Sequence, residues 1–229
     1  MKKLATIAFI IASTITTIAN AQTIKPKKEV IFDMGVCIQA QTMEPCMSQH
    51  IQILTTGIEW LDKALLLNSG LILDNKGKYL QSSNKSFDEL IIQLKQQYEE
   101  EFNNFSVVDN DGKEIKQPKK FLTSDTASNE NENHHGRFET KFIKQNGDTV
   151  IFVTYNTNSG YNGSGVETRR EIHFDLKTKK RTHLQGWSTC WKGCNGEWRD
   201  LTVDELNGNY DSTNNYDEPN TIKTNELSL

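Results

Sequence analysis

The C-terminal half of the chain alternates apolar and polar residues with a period of two, which is typical of strands with one buried face. Strands are predicted at 138–143, 149–155, 166–176 and 181–184, joined by turn-prone segments at 146–148, 156–165 and 177–180. In the third strand Ile172, Phe174 and Leu176 fall on one side and Arg169, Glu171, His173 and Asp175 on the other. The pattern predicts an antiparallel meander with one buried face.

Before residue 70 the apolar residues have the spacing of one helix face. Apolar residues step by four and three through Met47, Ile51, Leu54, Ile58, Leu61 and Leu65. Pro45 suits a helix start and Asn68, Ser69 and Gly70 suit its end. We expect one helix of five turns that packs on a sheet; a coiled-coil seam is the alternative.

A second helix is predicted from Ser86 to Phe102. Ser86 and Glu89 have the spacing of a capping box, in which each side chain satisfies a backbone N–H of the other residue. A short strand at 29–36 and turns at 74–77 and 109–112 complete the pattern. The predicted fold class is α+β, with two amphipathic helices packed on a mostly antiparallel, disulfide-stabilised sheet.

The ends differ from this central part. Lys2 and Lys3, an apolar stretch to Ile18, and the small residues Ala19 and Ala21 predict a signal peptide at 1–21. The predicted organisation is one α+β domain at 22–206, with a loose insert at about 123–135 and a disordered polar tail at 207–229. After cleavage no segment is apolar enough to be expected to span a membrane.

Composition narrows the class of partner. The formal net charge is −4, and loss of Lys2 and Lys3 with the signal peptide makes it more negative. Nucleic acid is a poor partner for such a chain, because phosphates demand a basic surface. The predicted signal peptide leads us to expect an exported protein, periplasmic or secreted. The aromatic segment at 186–198 is the reason for expecting a protein or glycan of the cell envelope as its partner.

The four cysteines, Cys37, Cys46, Cys190 and Cys194, are an even number in a chain predicted to be exported. They predict two disulfides, for which three pairings are possible. Proximity in sequence favours Cys37 with Cys46 and Cys190 with Cys194. A crossed pairing that ties residues 37–46 to residues 190–194 is the alternative.

No set of residues makes a complete catalytic motif. Glu171 and His173 share a strand face and are the candidates for acid–base chemistry, although exposed strand faces produce such pairs by accident. His134 and His135 offer two metal ligands without a third at suitable spacing. Ser164 lacks the glycine spacing of a nucleophile elbow. The sequence predicts neither a metal site nor a cofactor.

The strongest binding signal lies at 186–198, which holds three of the four tryptophans and one predicted disulfide. Aromatic side chains on a stiffened segment are typical of binding surfaces, so Trp187, Trp191 and Trp198 are candidate contact residues. The Gly/Asn/Ser-rich loop at 156–165 has a paratope-like composition, and Tyr161 and Asn162 are its candidate contacts. The alternative is that these residues only cap the sheet and close a hairpin.

The stretch from 150 to 184 carries a family-like pattern. It contains a strand, the turn Ser159-Gly160-Tyr161-Asn162-Gly163, a second strand at 171–174, and the motif Phe174-Asp175-Leu176-Lys177-Thr178-Lys179-Lys180. These pieces resemble the C-terminal extracytoplasmic domain of lysozyme-sensing anti-sigma factors and of some exported polysaccharide deacetylases. Lys179 replaces the turn glycine of that family. The resemblance implies an envelope domain that recognises a wall enzyme or a wall polymer, and it assigns no catalytic residue.

Three functions follow as hypotheses. The first is an exported, non-catalytic binding protein of the envelope that recognises or inhibits a cell-wall-degrading enzyme. The second is an envelope hydrolase acting on a glycan or peptidoglycan, with Glu171 and His173 or two carboxylates brought together by the fold. The third is a structural or adhesion component. Converging carboxylates in a deep cleft are the feature that would favour the enzyme.

Overall fold

The structure is a computed structural model that describes residues 23–38, 46–108, 111–115, 118–121, 132–160, 164–192 and 194–208. It confirms the α+β class, with strands predominating. The predicted signal peptide lies outside the described residues, as does the predicted tail except for its first two positions. In the part of the chain that the structure describes, no helix has the length and apolar character needed to cross a membrane.

Ten strands and three helices follow one another along the described chain. Their bounds are β1 Lys27–Ile38, β2 Cys46–Thr55, α1 Glu59–Asn68, α2 Phe87–Asn103, β3 Val107–Val108, β4 Glu114–Ile115, β5 Pro118–Phe121, β6 Glu132–Asn146, β7 Thr149–Ser159, β8 Gly165–Asp175, β9 Lys180–Trp191, β10 Arg199–Asp200 and α3 Val203–Leu206. Eight strands form one sheet in the order β10-β9-β8-β7-β6-β2-β1-β5, while β3 and β4 pair separately. The sheet is mixed, because β2 and β6 run parallel and the other neighbours antiparallel.

The predicted helix from Met47 to Leu65 is wrong in its first half. Residues Cys46–Thr55 form the central strand β2, and only Glu59–Asn68 is helical. Within β2 Ile51 and Ile53 are buried two residues apart, the spacing of one strand face. The backbone N–H and C=O groups of β2 bond to β1 on one side and to β6 on the other. These partners are distant in the sequence, so the local spacing of apolar residues could not reveal them.

The antiparallel meander is confirmed, and its strands are longer than predicted. Strands β6 to β9 pair in sequence with one-to-one registers through most of their length. Part of the predicted 156–165 loop belongs to strands: β7 runs to Ser159 and β8 starts at Gly165. The predicted loose insert is also shorter at its end, because residues 132–135 are the start of β6; residues 123–131 lie outside the described residues.

All three helices contact the same face of the sheet. Helix α1 brings Trp60 against Phe174, and α2 packs Phe102 against Phe32 of β1. Helix α3 brings Leu206 to Gly186. Two buried clusters result, one under α2 around β1 and β2 and one under α1 around β7 and β8.

Local signals start two of these helices. The Ser86–Glu89 capping box is present, and the hydrogen bonds from the backbone and hydroxyl of Ser86 hold the pKa of Glu89 below its usual value. Thr202 and Glu205 form a second capping box at α3. Arg199 donates two hydrogen bonds to Glu205, at 2.9 and 2.5 Å, and these contacts lower the pKa of that carboxyl.

Arg170 ties the sheet to two helix ends. Its side chain faces the helices, and the residue is only 4 % exposed. Its guanidinium donates to the carbonyl of Leu206 at 3.1 Å and lies near that of Asn68 at 3.5 Å, at the ends of α3 and α1. The same group stacks 4.6 Å from the centre of the Tyr79 ring. A cation is favoured there because helix C-termini carry partial negative charge.

Both predicted local disulfides are present, Cys37 with Cys46 and Cys190 with Cys194. The first joins directly opposite residues at the end of the β1–β2 ladder. The second joins Cys190, near the end of β9, to Cys194, three residues after that strand ends. Two structural disulfides indicate an oxidising compartment.

Candidate functional site

One face of the large sheet is not contacted by any helix in the described parts of the chain. Side chains alternate along each strand, so residues 169, 171 and 173 of β8 point away from the helices while Arg170, Ile172 and Phe174 point toward them. We call this side, with the same-facing residues of the neighbouring strands, the open face. Its side chains are mostly half-buried by one another, and they include aromatic and charged residues.

A row of large side chains crosses the open face. Strand pairing sets Tyr155 of β7 opposite Arg169 of β8, and Arg169 opposite Trp187 of β9. The row continues to Glu139 of β6 on one side and to Asp200 of β10 on the other. Directly paired residues share a face and stand side by side, so the row is fixed by the backbone register.

Cation–π contacts join this row into one surface. The Arg169 guanidinium lies 5.2 Å from the centre of the Tyr155 ring and 4.2 Å from that of Trp198. The Lys141 ammonium, on the other neighbouring strand β6, lies 4.5 Å from the centre of the Tyr155 ring. Each such contact contributes about 0.5–1 kcal/mol where it is exposed. We call Tyr155, Arg169, Trp187 and Trp198 the aromatic ladder.

Charges of both signs border the aromatic ladder. Glu139 lies 3.7 Å from Lys28, 3.8 Å from Arg137 and 3.8 Å from Lys141. Glu167 accepts a 2.9 Å hydrogen bond from Arg169. These ion pairs hold the long side chains in place, although each adds little stability at a surface.

The predicted binding residues divide into three groups. Trp187 and Trp198 belong to the aromatic ladder, and Trp198 is 38 % exposed. Trp191 ends β9, where its indole lies over Gly165 so closely that a Cβ there would be 2.0 Å from Cζ2. Tyr161 and Asn162 lie outside the described residues. Sequence reasoning missed Tyr155 and Arg169, whose proximity to the tryptophans depends on strand register.

The candidate pair Glu171 and His173 also lies on the open face, two and four residues after Arg169 along β8. His173 Nε2 is 2.6 Å from Glu171 Oε1. His183, which looks isolated in the sequence, is directly opposite His173 across the β8–β9 pair, with ring centres 4.6 Å apart. One ligand atom from each of the three side chains lies within 4.8 Å of the others. Counting back from the predicted turn at 177–180 is the signal that would have found His183.

The other histidines have different surroundings. His134 and His135 lie in β6 rather than in a loose loop, which corrects the sequence expectation. His135 Nδ1 is within 2.7 Å of the Ser48 hydroxyl, and His50 lies 3.5 Å from Asp33. Among the described residues, the cluster with three potential metal ligands is Glu171, His173 and His183.

A groove of about 280 Å³ lies on the helix side of the sheet, bordered by Tyr79, Tyr98 and Asn156. Burial raises the pKa of the Tyr98 phenol. The described residues that line the groove include no carboxylate. Those described residues do not supply the pair of acids that glycoside cleavage requires.

Comparison with known proteins gives no match to a protein-family model, to a curated protein or to a solved structure.

Proposed function

We propose that this chain is an exported, non-catalytic binding protein of the cell envelope that holds a protein partner against its open face. The observation that carries the proposal is the aromatic ladder, which concentrates tyrosine, tryptophan and arginine on a sheet face that no described helix contacts. These three residue types dominate the energetically important positions of protein interfaces.

The arrangement favours a protein partner over a glycan. Sugars stack on free aromatic faces, whereas Arg169 already lies over the rings of both Tyr155 and Trp198. The charged border of Glu139, Lys141 and Glu167 offers both signs to the polar rim of a protein interface. Two disulfides and eight paired strands keep the face stiff, so little conformational entropy is lost on binding.

For the partner we propose a cell-wall-degrading enzyme, which the chain would recognise or inhibit. The support is the sequence resemblance of residues 150–184 to lysozyme-sensing extracytoplasmic domains. That stretch includes nearly all of β7, all of β8 and the first part of β9. Tyr155 lies on β7 and Arg169 on β8, and Trp187 lies later on β9, opposite Arg169. The resembling segment thus contains Tyr155 and Arg169 of the aromatic ladder, while Trp187 and Trp198 follow it in the sequence.

The second candidate is a hydrolase, favoured by the 2.6 Å contact between Glu171 and His173. This pair lies on a sheet face rather than in the groove between sheet and helices. A face of this shape gives a substrate little enclosure from water. We therefore place the hydrolase second.

The test is direct binding to a panel of purified muramidases and peptidoglycan amidases. The oxidised, mature chain would be immobilised through its C-terminus, and affinities measured for wild type, Trp198→Ala and Arg169→Ala. Ile92→Ser is the matched control, because Ile92 is an exposed apolar residue on α2, away from the open face. We expect at least one enzyme to bind, with losses of about tenfold or more in the two ladder variants, which corresponds to about 1.4 kcal/mol each.

The control should bind as wild type does. Sedimentation of the chain with purified peptidoglycan, without binding to any enzyme, would replace the protein partner by a glycan. Equal affinities for wild type and both ladder variants would remove the open face from the proposal. Hydrolysis of peptidoglycan that is lost in His173→Ala would favour the second candidate instead.

A further inference from the structure

We propose that Glu171, His173 and His183 form a binding site for a transition-metal dication, with Zn²⁺ as the ion that fits best. The inference is independent of the proposed function, because it rests on a cluster separate from the aromatic ladder. Either proposal can fail while the other stands.

The β8–β9 hairpin places these three side chains. His173 and His183 are direct cross-strand neighbours, so their imidazoles stand side by side on the open face. Glu171 precedes His173 by two residues on the same strand, which puts its carboxylate on the same side. Regular paired strands hold ligands more rigidly than a loop does.

The distances between the three ligand atoms suit a small metal site after a slight adjustment of the side chains. Tetrahedral zinc, with bonds of about 2.1 Å, needs ligand atoms about 3.4 Å apart. Glu171 Oε1 and His173 Nε2 are 2.6 Å apart, so their hydrogen bond would open by about 0.8 Å on metal binding, and all three ligand atoms lie within 4.8 Å of one another. The side chains of His173 and Glu171 are 23 % and 28 % exposed, which leaves room for small side-chain rotations that move the ligand atoms by about 1 Å into a tetrahedral arrangement.

The type of ligand selects the ion. Two imidazole nitrogens and one carboxylate oxygen suit Zn²⁺ and its neighbours Co²⁺, Ni²⁺ and Cu²⁺. Calcium and magnesium prefer six or more oxygen ligands, which three side chains with two nitrogens cannot supply.

The coordination would be incomplete on the protein side. Three protein ligands leave a fourth tetrahedral position, which water or a group of a partner can fill. Because the cluster lies on the open face, this position would point away from the helices. We infer an open zinc site rather than a closed structural one.

The experiment is calorimetric titration of Zn²⁺ into the full mature chain, free of metal and without a polyhistidine tag. We expect one ion per chain with micromolar or tighter affinity. His183→Asn and His173→Asn should each weaken binding by more than about 100-fold, since even outer-shell partners of metal ligands contribute 10- to 100-fold. Mg²⁺ and Ca²⁺ should give no binding heat.

His50→Asn is the matched control. His50 is another half-buried histidine beside a carboxylate on this sheet, 3.5 Å from Asp33, and among the described residues it belongs to no group of three potential ligands. It should bind Zn²⁺ as wild type does. Circular dichroism would confirm that each variant is folded, and Glu171→Gln gives a third variant that keeps both imidazoles.

The visible spectrum of the Co²⁺-loaded chain supplies an independent readout. Intense bands of four-coordinate cobalt that disappear in His183→Asn would support the site. Absence of Zn²⁺ binding in wild type overturns the proposal. So does unchanged zinc affinity in both His173→Asn and His183→Asn, which would assign the ion to other residues such as His134 and His135.

Discussion

Replacing Arg170 by methionine should destabilise the protein more than any other change to a charged residue of β8. Arg170 is 4 % exposed, and its hydrogen bond to the Leu206 carbonyl is 3.1 Å long. A hydrogen bond from a charged donor contributes about 1.5–3 kcal/mol, and the desolvated stack on the Tyr79 ring about 1–2 kcal/mol. The 3.5 Å approach to the Asn68 carbonyl is too long to count.

We therefore expect a loss of about 3–4 kcal/mol in the free energy of unfolding. Methionine keeps most of the volume, so the loss measures the polar contacts rather than a cavity. Arg170→Lys should have a free energy of unfolding between those of wild type and Arg170→Met, because an ammonium keeps the charge but not the planar stack on the ring.

Urea unfolding at neutral pH, followed by tryptophan fluorescence of the oxidised chain, measures the change. Arg169→Met is the control, since Arg169 immediately precedes Arg170 on the same strand but lies on the open face with a side chain 41 % exposed. Its loss should be about 1–2 kcal/mol, because its two exposed cation–π contacts contribute about 0.5–1 kcal/mol each and its surface ion pair adds little. An Arg170→Met variant that is no less stable than Arg169→Met would refute this account of the buried arginine.

A double-mutant cycle with Tyr79→Leu separates the stack from the hydrogen bond. If the ring contributes as its 4.6 Å separation implies, the two changes together should cost about 1 kcal/mol less than the sum of the single changes. If the losses of the two single variants simply add, the stack contributes nothing, and the loss in Arg170→Met comes from its hydrogen bond to the Leu206 carbonyl.

Three further predictions test smaller features. Gly165→Ala would put a Cβ 2.0 Å from the Trp191 indole, so we expect a loss of about 1–3 kcal/mol and a red-shifted tryptophan emission; an unchanged spectrum would contradict the packing. Ser86→Ala removes the cap of α2 and should cost about 1 kcal/mol in urea unfolding, and no measurable cost would show that the cap is dispensable. The hydrogen bond from Arg199 lowers the pKa of Glu205, so its stabilising effect is complete above the ordinary value of 4.5 and is lost as the pH falls through the lowered pKa. Glu205→Gln should thus lower the unfolding temperature at neutral pH but not at about pH 2, and an equal drop at both would contradict the linkage.

Local features of this chain could be predicted well from the sequence, because short-range chemistry determines them. The Ser86 capping box, the turn between β8 and β9, and the two local disulfides each depend on residues fewer than ten positions apart. The alternation of apolar and polar residues in β8 likewise arises because one face of the strand packs against apolar side chains and the other does not.

The failure at β2 shows the limit of local patterns. Met47, Ile51 and Leu54 have helical spacing, yet the segment is the strand that joins β1 to β6. A central strand can bury side chains on both faces, which blurs its period of two, and its backbone partners are distant in the sequence. Only the assembled sheet decides between the two conformations.

The candidate sites show the same division. Sequence alone brought attention to Trp187, Trp198, Glu171 and His173, since each lies in a conspicuous local pattern. Register across β7, β8 and β9 decided that Arg169 would lie between aromatic rings and that His183 would stand beside His173. A shift of one residue would turn either set to the opposite face, and the packing of the buried face against the helices is what excludes that shift.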